Sequence, residues 1–310
     1  APVQITTHGH PVTSGIARDI MDYYLSWDMA ELPDAQKWYT EELLKINSKK
    51  SAWELYTPRT DENERSLVGG GYSFADFTRE NLDFIPEGSA QKLSNPKATW
   101  YFCAQASFKY HVTFDRILGD IQKQDPNAVL ILIELTDPEL KHMHPRISAR
   151  LEKEGGVDLS RVAFIPRMAH YRLMAMYKLA DVVLDSVYFG GDTTTREAFE
   201  VGAPIVTLPG KALGQRWTQA YYKVMGITKL IAKDTNDYIR IAIATANASD
   251  AEKQALRASI KNAVFKKLYR NTKAAKLWAD TILSVAYTPK RVQWRSPGDE
   301  KYEATRHDEL

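Results

Sequence analysis

From about Ala98 the chain alternates between two hydrophobic patterns, and this alternation limits the folds open to it. The apolar runs are Trp100-Tyr101-Phe102-Cys103, Ala128 to Ile133, Val162-Ala163-Phe164-Ile165, Val182-Val183-Leu184 and Ile205-Val206-Thr207-Leu208. Each is short, β-rich and nearly continuous, as a strand buried on both faces must be. Segments with helical spacing lie between them, such as Phe114, Ile117, Leu118 and Ile121, then Leu173, Met174, Tyr177 and Leu179. Alternating strand and helix units predict an α/β fold with a parallel, doubly wound sheet, whose ligands sit at the carboxyl ends of the strands. Beyond Gly210 the pattern turns helical over 215–225, 234–246 and 250–268, with Asp250 as a candidate N-cap, and 272–286 reads as a final helix. Residues 1–95 differ in kind, with few strand runs, several aromatics and turn clusters such as Asp61-Glu62-Asn63 and Gly69-Gly70-Gly71. A boundary near Ser94-Asn95-Pro96 divides the chain into 1–95, 96–287 and a polar tail, 288–310.

One stretch in this pattern carries chemistry. Ala180-Asp181-Val182-Val183-Leu184-Asp185 reads as a buried strand, and Gly190-Gly191-Asp192-Thr193-Thr194-Thr195-Arg196-Glu197-Ala198 follows it. A glycine-rich turn, a hydroxyl cluster and a helix start form an anion site: free N–H groups and the positive end of the helix dipole face the turn. The three threonine hydroxyls add donors. The same groups also serve for simple helix capping by Asp192 or Thr193. A carboxylate one turn into that helix does not favour phosphate, so Glu197 points to another partner, for which a sugar diol is the natural candidate. Diphosphate beside ribose implies a nucleotide or a nucleotide-sugar.

The bulk numbers exclude other classes. A length of 310 residues suffices for two domains, and the net charge of +2 gives no electrostatic case for nucleic acid. The lone Cys103 excludes an internal disulfide framework and a multi-cysteine zinc site. His8 and His10 would share a strand face, but two ligands are too few for a metal centre. No apolar run approaches the roughly 20 residues that span a bilayer, and no Gly-x-Gly-x-x-Gly fingerprint of a dehydrogenase follows any strand. The chain opens on Ala1-Pro2-Val3-Gln4-Ile5, which reads as a strand with nothing before it and suggests a fragment or a processed chain.

These residues, in order, resemble the catalytic region of the O-GlcNAc transferase and SPINDLY glycosyltransferases, especially bacterial members that carry tetratricopeptide repeats. The resemblance rests on Ala1-Pro2-Val3-Gln4, His8-Gly9-His10-Pro11-Val12-Thr13-Ser14-Gly15, Met21-Asp22-Tyr23-Tyr24 and Cys103-Ala104-Gln105-Ala106-Ser107-Phe108-Lys109-Tyr110-His111. It continues through Phe164-Ile165-Pro166-Arg167-Met168, the strand before Asp185, the Gly190 loop and Gly202-Ala203-Pro204-Ile205-Val206-Thr207-Leu208-Pro209-Gly210. It implies a GT-B fold of two facing Rossmann-like lobes, with the C-terminal lobe complete and the N-terminal, acceptor-side lobe partial. It also implies that the first strands of that lobe and the upstream repeats are missing from this chain.

The resemblance assigns roles. Lys109 stabilises the leaving diphosphate, a task a lysine performs without a metal, and Gln105 hydrogen-bonds the donor. Gly191, Asp192, Thr193 and Thr194 contact the phosphates, and Glu197 takes the ribose hydroxyls. Asp192 departs from the histidine or asparagine common there, and a carboxylate beside phosphate is repulsive unless it turns away. Arg167, Met168 and His170 close another strand at the edge where the base is read, and Arg216 is a weaker candidate for the phosphates. His10 points into the cleft as catalytic base or acceptor-positioning group.

The implied reaction is inverting, metal-independent and cofactor-free transfer of a sugar from a nucleotide-sugar donor to a protein hydroxyl. UDP-N-acetylglucosamine is the expected donor, GDP-fucose the runner-up, and UDP-glucose with an asparagine acceptor a third choice. A non-catalytic nucleotide-sugar-binding module is the alternative. No nucleic acid or membrane insertion is expected. The expected compartment is the cytoplasm, with the reticulum lumen as alternative because the chain ends His307-Asp308-Glu309-Leu310 and carries the sequon Asn247-Ala248-Ser249.

Overall fold

The computed structural model describes residues 3–9, 12–17, 19–269 and 271–286. His10 and the tail 288–310 therefore lie outside the described residues. All five strands expected after Ala98 form: β4 (Thr99–Ala106), β5 (Ala128–Ile133), β6 (Val162–Ile165), β7 (Val182–Leu184) and β8 (Ile205–Val206). They pair in parallel in the order β6-β5-β4-β7-β8. The helices between them are α2 (Val112–Gln124), α3 (His144–Lys153), α4 (His170–Leu179) and α5 (Thr193–Glu200). α2 packs against α3, and α5 packs against α4. Every residue of β5 and of β7 is buried, which is why their sequences run apolar without alternation.

The chain winds outward from β4 to β6, then returns to lay β7 on the other side of β4. That reversal opens a crevice between the carboxyl ends of β4 and β7, at the topological switch point.

The first 95 residues contribute a second parallel sheet, β1 (Ile5–Thr7), β2 (Tyr23–Trp27) and β3 (Glu42–Ile46) in that order. β2 and β3 were not evident in the sequence. β2 is fully buried but interrupts its aromatics with Ser26, and β3 is an edge strand that exposes Glu42 and Lys45. α1 (Glu87–Leu93) packs on β6, where Ser89 Oγ donates to Phe164 O at 2.7 Å. α9 (Lys273–Ala286) packs on β3. Elements near the two ends of the chain thus cross onto the opposite sheet.

The later helices are α6 (Trp217–Met225), α7 (Thr235–Ala246) and α8 (Asp250–Ala263). Asp250 is not the cap of α8. Ser249 is, in a capping box with Glu252, because a serine hydroxyl one residue earlier reaches the N3 amide and leaves Asp250 free to favour the dipole in the first turn. Asn247 of the sequon turns Nδ2 onto Asp125 Oδ2 (2.9 Å) and Ile243 O (3.1 Å). Among the described residues no helix is long and apolar enough to cross a membrane.

An aromatic seam joins the sheets edge to edge. Trp27 ends β2, Trp53 lies on the segment after β3, and Trp217 opens α6; all three are buried. Trp53 stacks on Trp27 with centroids 6.2 Å apart and on Trp217 at 5.7 Å, and Tyr221 lies 5.8 Å from Trp27. Because Trp27 and the end of β1 sit at carboxyl ends, the seam turns the two carboxyl edges toward each other. Arg216 reinforces it. Its Nε donates to Ala30 O at 2.5 Å and its Nη1 to Gly210 O at 2.9 Å. Arg216 is thus buried in the interlobe joint, where its Nε and Nη1 donate to backbone carbonyls.

Truncating Trp217 to alanine removes three ring contacts from this joint at once. The expected loss is about 3–5 kcal/mol of unfolding free energy, read from the denaturant midpoint with the m-value checked; a loss below about 1 kcal/mol would mean that the seam does not hold the lobes.

Candidate active site

The crevice at the switch point is built by β4, the turn after it, and the loop between β7 and α5. The structure joins three predicted residues there in one chain of hydrogen bonds. Lys109 Nζ donates to Gln105 Oε1 at 2.9 Å, and Gln105 Nε2 donates to Thr194 Oγ1 at 2.7 Å. Gln105 is buried and Lys109 half-buried, with its ammonium 4.8 Å over the Phe189 ring. Burial holds the Lys109 ammonium below the ordinary lysine range, against opposing pulls from Cys103 and Asp185. It is a cation short of counter-charge, which an anion in the crevice would supply.

The loop before α5 is held from below by Asp185, at the end of β7. Its carboxylate accepts from Gly191 N at 2.9 Å and from Thr207 Oγ1 at 2.7 Å. Gly191 N–H is therefore committed inward and is not one of the anion donors expected of it. What the site needs from Gly191 is its missing side chain: a Cβ there would fall 2.5 Å from Thr194 Oγ1, 2.7 Å from Thr195 Oγ1 and 2.9 Å from Gln105 Nε2. The first amides of α5 have no acceptor within their own helix, as in any helix start.

The three threonines do not act alike. Thr194 faces Gln105, Thr193 Oγ1 accepts from Arg196 Nη2 at 3.2 Å, and Thr195 is buried against Thr218 Oγ1 at 3.0 Å. Helical rotation of 100° per residue sends the third hydroxyl into the protein. Nor does Asp192 cap α5 with its side chain. Its carboxylate accepts from the Tyr221 hydroxyl and pairs with Arg196 Nε at 3.4 Å. The guanidinium of Arg196 in turn lies 4.0 Å over the Tyr56 ring. The repulsion expected between Asp192 and a phosphate is offset by this fixed cation.

Glu197 is buried, and its Oε1 lies 2.8 Å from Arg59 Nη1 and 3.2 Å from His170 Nε2. His170 Nδ1 lies 2.7 Å from Ser66 Oγ, so the start of α4 and the loop of residues 59–66 both close over α5. Glu200, one turn further on, accepts from Arg59 N, Thr60 N, Thr60 Oγ1 and Tyr269 OH. Met168 packs partly against the core, and Arg167 is exposed on the turn after β6. β6 is an edge strand, separated from β7 by two others, and His170 is the member of this group that reaches Glu197.

Residues from the other sheet line the same crevice: His8, from the motif the resemblance picked out, and Glu54, which the sequence did not signal. His8, just past β1, sets its ring edge-on to Trp53 at 4.7 Å and Trp217 at 5.5 Å. Its Nε2 lies 3.2 Å from Glu54 Oε1. Burial holds the His8 imidazole below the ordinary histidine range and so favours the neutral ring. Burial, with help from the charge on Asp192, pushes the Glu54 carboxyl up to about 7, although Arg196 and Tyr56 pull the other way. Glu54 sits among turn residues with no periodic pattern, and only the folded seam brings it to the crevice.

Two parallel sheets facing each other across their carboxyl edges, with the crevice on one of them, form the two-lobed GT-B glycosyltransferase fold. The structure superposes with a TM-score of 0.66 on an O-GlcNAc transferase mutant from Thermobaculum terrenum at 22% identity, covering 92% of this chain and 50% of that one. It superposes with a TM-score of 0.52 on sucrose-phosphate synthase from Thermosynechococcus elongatus at 16% identity, covering 86% and 59%. Residues 87–276, more than half of the chain, match the family described as Glycosyl transferase family 41, and the chain belongs to that family. It is 27% identical over 252 residues to a probable UDP-N-acetylglucosamine–peptide N-acetylglucosaminyltransferase SPINDLY of Petunia hybrida, a match covering 80% of this chain and 23% of that protein. The chain thus spans about a quarter of the length of the curated relatives it matches.

The raised Glu54 carboxyl has a consequence for stability. The folded state holds this proton up to about pH 7, whereas the unfolded chain releases it near 4.5. The contribution is therefore complete below pH 4.5 and is lost as the pH rises through 7. Replacing Glu54 by glutamine removes the titration, so between pH 5 and 8 the unfolding free energy of the parent should fall relative to the variant by about 2–3 kcal/mol. Parallel urea titrations at both pH values check this, and parallel pH dependences in the two proteins would refute it.

Proposed function

We propose that this chain transfers a sugar from a nucleotide-sugar to a hydroxyl of a protein, with inversion and without a metal ion, and that UDP-N-acetylglucosamine is the donor. The observation that supports this most directly is the Lys109–Gln105–Thr194 chain at the switch point, in a chain of glycosyltransferase family 41. The relative from Petunia hybrida bears the name of a UDP-N-acetylglucosamine–peptide transferase, which favours that donor over GDP-fucose.

In this reading the diphosphate sits between Lys109 and the start of α5. As the glycosidic bond breaks, charge grows on the leaving diphosphate. Lys109, the Thr193 and Thr194 amides and the Thr194 hydroxyl are fixed where that charge develops, so they stabilise the transition state more than the ground state. Gln105 orients Lys109. Glu197, held by Arg59 and His170, is left to receive the ribose hydroxyls, with Arg167, Met168 and His170 toward the base. His10 keeps its place as an acceptor-side candidate outside the described residues. The residues of 1–95 supply the acceptor side, and those of 96–287 the donor side. The compartment is the cytoplasm. Detection of a glycan on Asn247, which would displace the amide from Asp125, would assign the reticulum lumen instead.

Calorimetry with UDP, GDP and their sugars tests the reading. UDP and UDP-N-acetylglucosamine should bind, and Lys109→Ala should weaken UDP at least about tenfold, roughly 1.4 kcal/mol, and slow transfer about 100-fold or more. GDP-fucose binding in place of UDP would reassign the donor, and binding without turnover would leave a nucleotide-sugar-binding module. Failure of both nucleotides to bind would end the reading. Gly191→Ala should also weaken UDP about tenfold while leaving the unfolding midpoint close to the parent's, because the added methyl forces Gln105 and Thr194 apart; unchanged UDP affinity would show that this contact does not shape the site.

A further inference from the structure

Inverting transfer needs a base on the acceptor side, and the carboxylates of the described crevice can be compared for that task. Asp185 is committed to Gly191 and Thr207, Asp192 to Tyr221 and Arg196, Glu197 to Arg59 and His170, and Glu200 to four donors. Glu54 differs. Its carboxyl meets the His8 imidazole at 3.2 Å and the Tyr56 hydroxyl, with no lysine or arginine among the described residues paired to it, and the two side chains keep 22% and 24% of their surface open, His8 and Glu54 respectively. Glu54 also comes from the sheet opposite the diphosphate loop, the side from which an acceptor must attack.

Resting on the transferase reading above, we propose that Glu54 is the base that takes the proton of the attacking hydroxyl, with His8 as its positioning residue. The hydroxyl oxygen bonds to the anomeric carbon while its proton passes to the Glu54 carboxylate. The bond from that carbon to the diphosphate oxygen breaks, and its electron pair leaves on the diphosphate beside Lys109. Glu54 then returns the proton to solvent.

The surroundings suit this work. His8 is wedged edge-on to Trp53 and Trp217, and its Nδ1 lies 3.3 Å from Thr7 Oγ1, so the ring is fixed. The groups facing Glu54 are His8 at the end of β1, Tyr56 on its own segment, Asp192 just before α5 and Arg196 within it. Their net effect with burial is a carboxyl that titrates near 7, matched to proton transfer at neutral pH. With the Thr7 hydroxyl donating to Leu25 O, Nδ1 of the neutral ring donates to Thr7 Oγ1 and Nε2 faces Glu54 as an acceptor, so the imidazole does not depress the carboxyl as a lysine or arginine at that distance would.

The test uses the whole chain with UDP-N-acetylglucosamine and water as acceptor, following UDP release from pH 5 to 9 beside UDP affinity by calorimetry. The parent's kcat/KM should rise with pH through an inflection near 7, and its kcat through a higher one. Glu54→Gln should lose about 100-fold or more in kcat, flatten that limb, and keep UDP affinity within about threefold of the parent. Glu54→Asp should recover part of the rate and keep the limb, and His8→Gln should keep the limb but move its inflection. If Glu54→Gln binds UDP and turns over like the parent, or loses rate with the limb intact, the assignment is wrong while the transferase reading stands. The same holds if the limb disappears only in His8→Gln. A parent chain that does not bind UDP, or binds it and releases none from the donor, overturns the transferase reading and the base with it.

Discussion

The stack of Trp27, Trp53 and Trp217 decides what the rest of the molecule can do, because each sheet alone presents only half of a site. The five-stranded sheet carries the anion-facing loop but no group on its far side. The three-stranded sheet carries His8 and Glu54 but nothing to hold a donor. Flat indole faces pack with a large buried area and few rotamers, so they fix the angle between the sheets as well as their distance. Arg216 adds direction: its fork reads one carbonyl on each side of the joint, Ala30 and Gly210, and cannot do so if either lobe rotates. The joint also excludes water from the crevice floor, which explains why the titratable groups beside it are displaced from their ordinary ranges.

A buried carboxylate is costly unless it is paired or hydrogen-bonded. The end of β7 and α5 place three close together, Asp185, Glu197 and Glu200, with the half-buried Asp192 between them, and each has a separate set of donors. The spacing on α5 does the sorting. Glu197 and Glu200, three apart, lie on one stripe of the helix and meet α4 and the loop of residues 59–66. Asp192 and Arg196, four apart, lie on another stripe and meet Tyr56, Tyr221 and the opposite sheet. Eight residues thereby lock one end of the donor loop to two neighbours that are far apart in sequence.

What could be read in the sequence follows from how local the cause is. The five strands after Ala98 were legible because burial on both faces leaves an uninterrupted apolar run. Lys109 and Gln105 were singled out by the family resemblance, and they meet Thr194 because a parallel sheet brings the ends of its central strands together. β2 and β3 were hidden, the first by Ser26 and the second by the charges an edge strand tolerates. The different fates of the three threonines depend on where the helix starts, and one residue of phase turns a hydroxyl from the crevice to the core. The diversion of the Gly191 amide to Asp185 needs the loop to fold back over six residues. Arg59 and Glu54 come from a segment without periodicity, where only long-range packing gives the residues meaning.

The placement of Arg196 bears on how the two halves of the site work together. Its guanidinium neutralises Asp192 at the start of α5, and the same charge acts on His8 and Glu54 across the seam. In the proposed reading, a diphosphate arriving at the amides of Thr193 and Thr194 brings negative charge to the same small region. Because the region is walled by tryptophan and tyrosine rings, that charge is poorly screened. It therefore strengthens the hold of Glu54 on a proton, which is the direction a base must move as the acceptor hydroxyl is ionised. As the leaving diphosphate gains charge, the basicity on the opposite lobe grows with it. On that reading, donor cleavage and acceptor deprotonation are coupled through α5 by electrostatics.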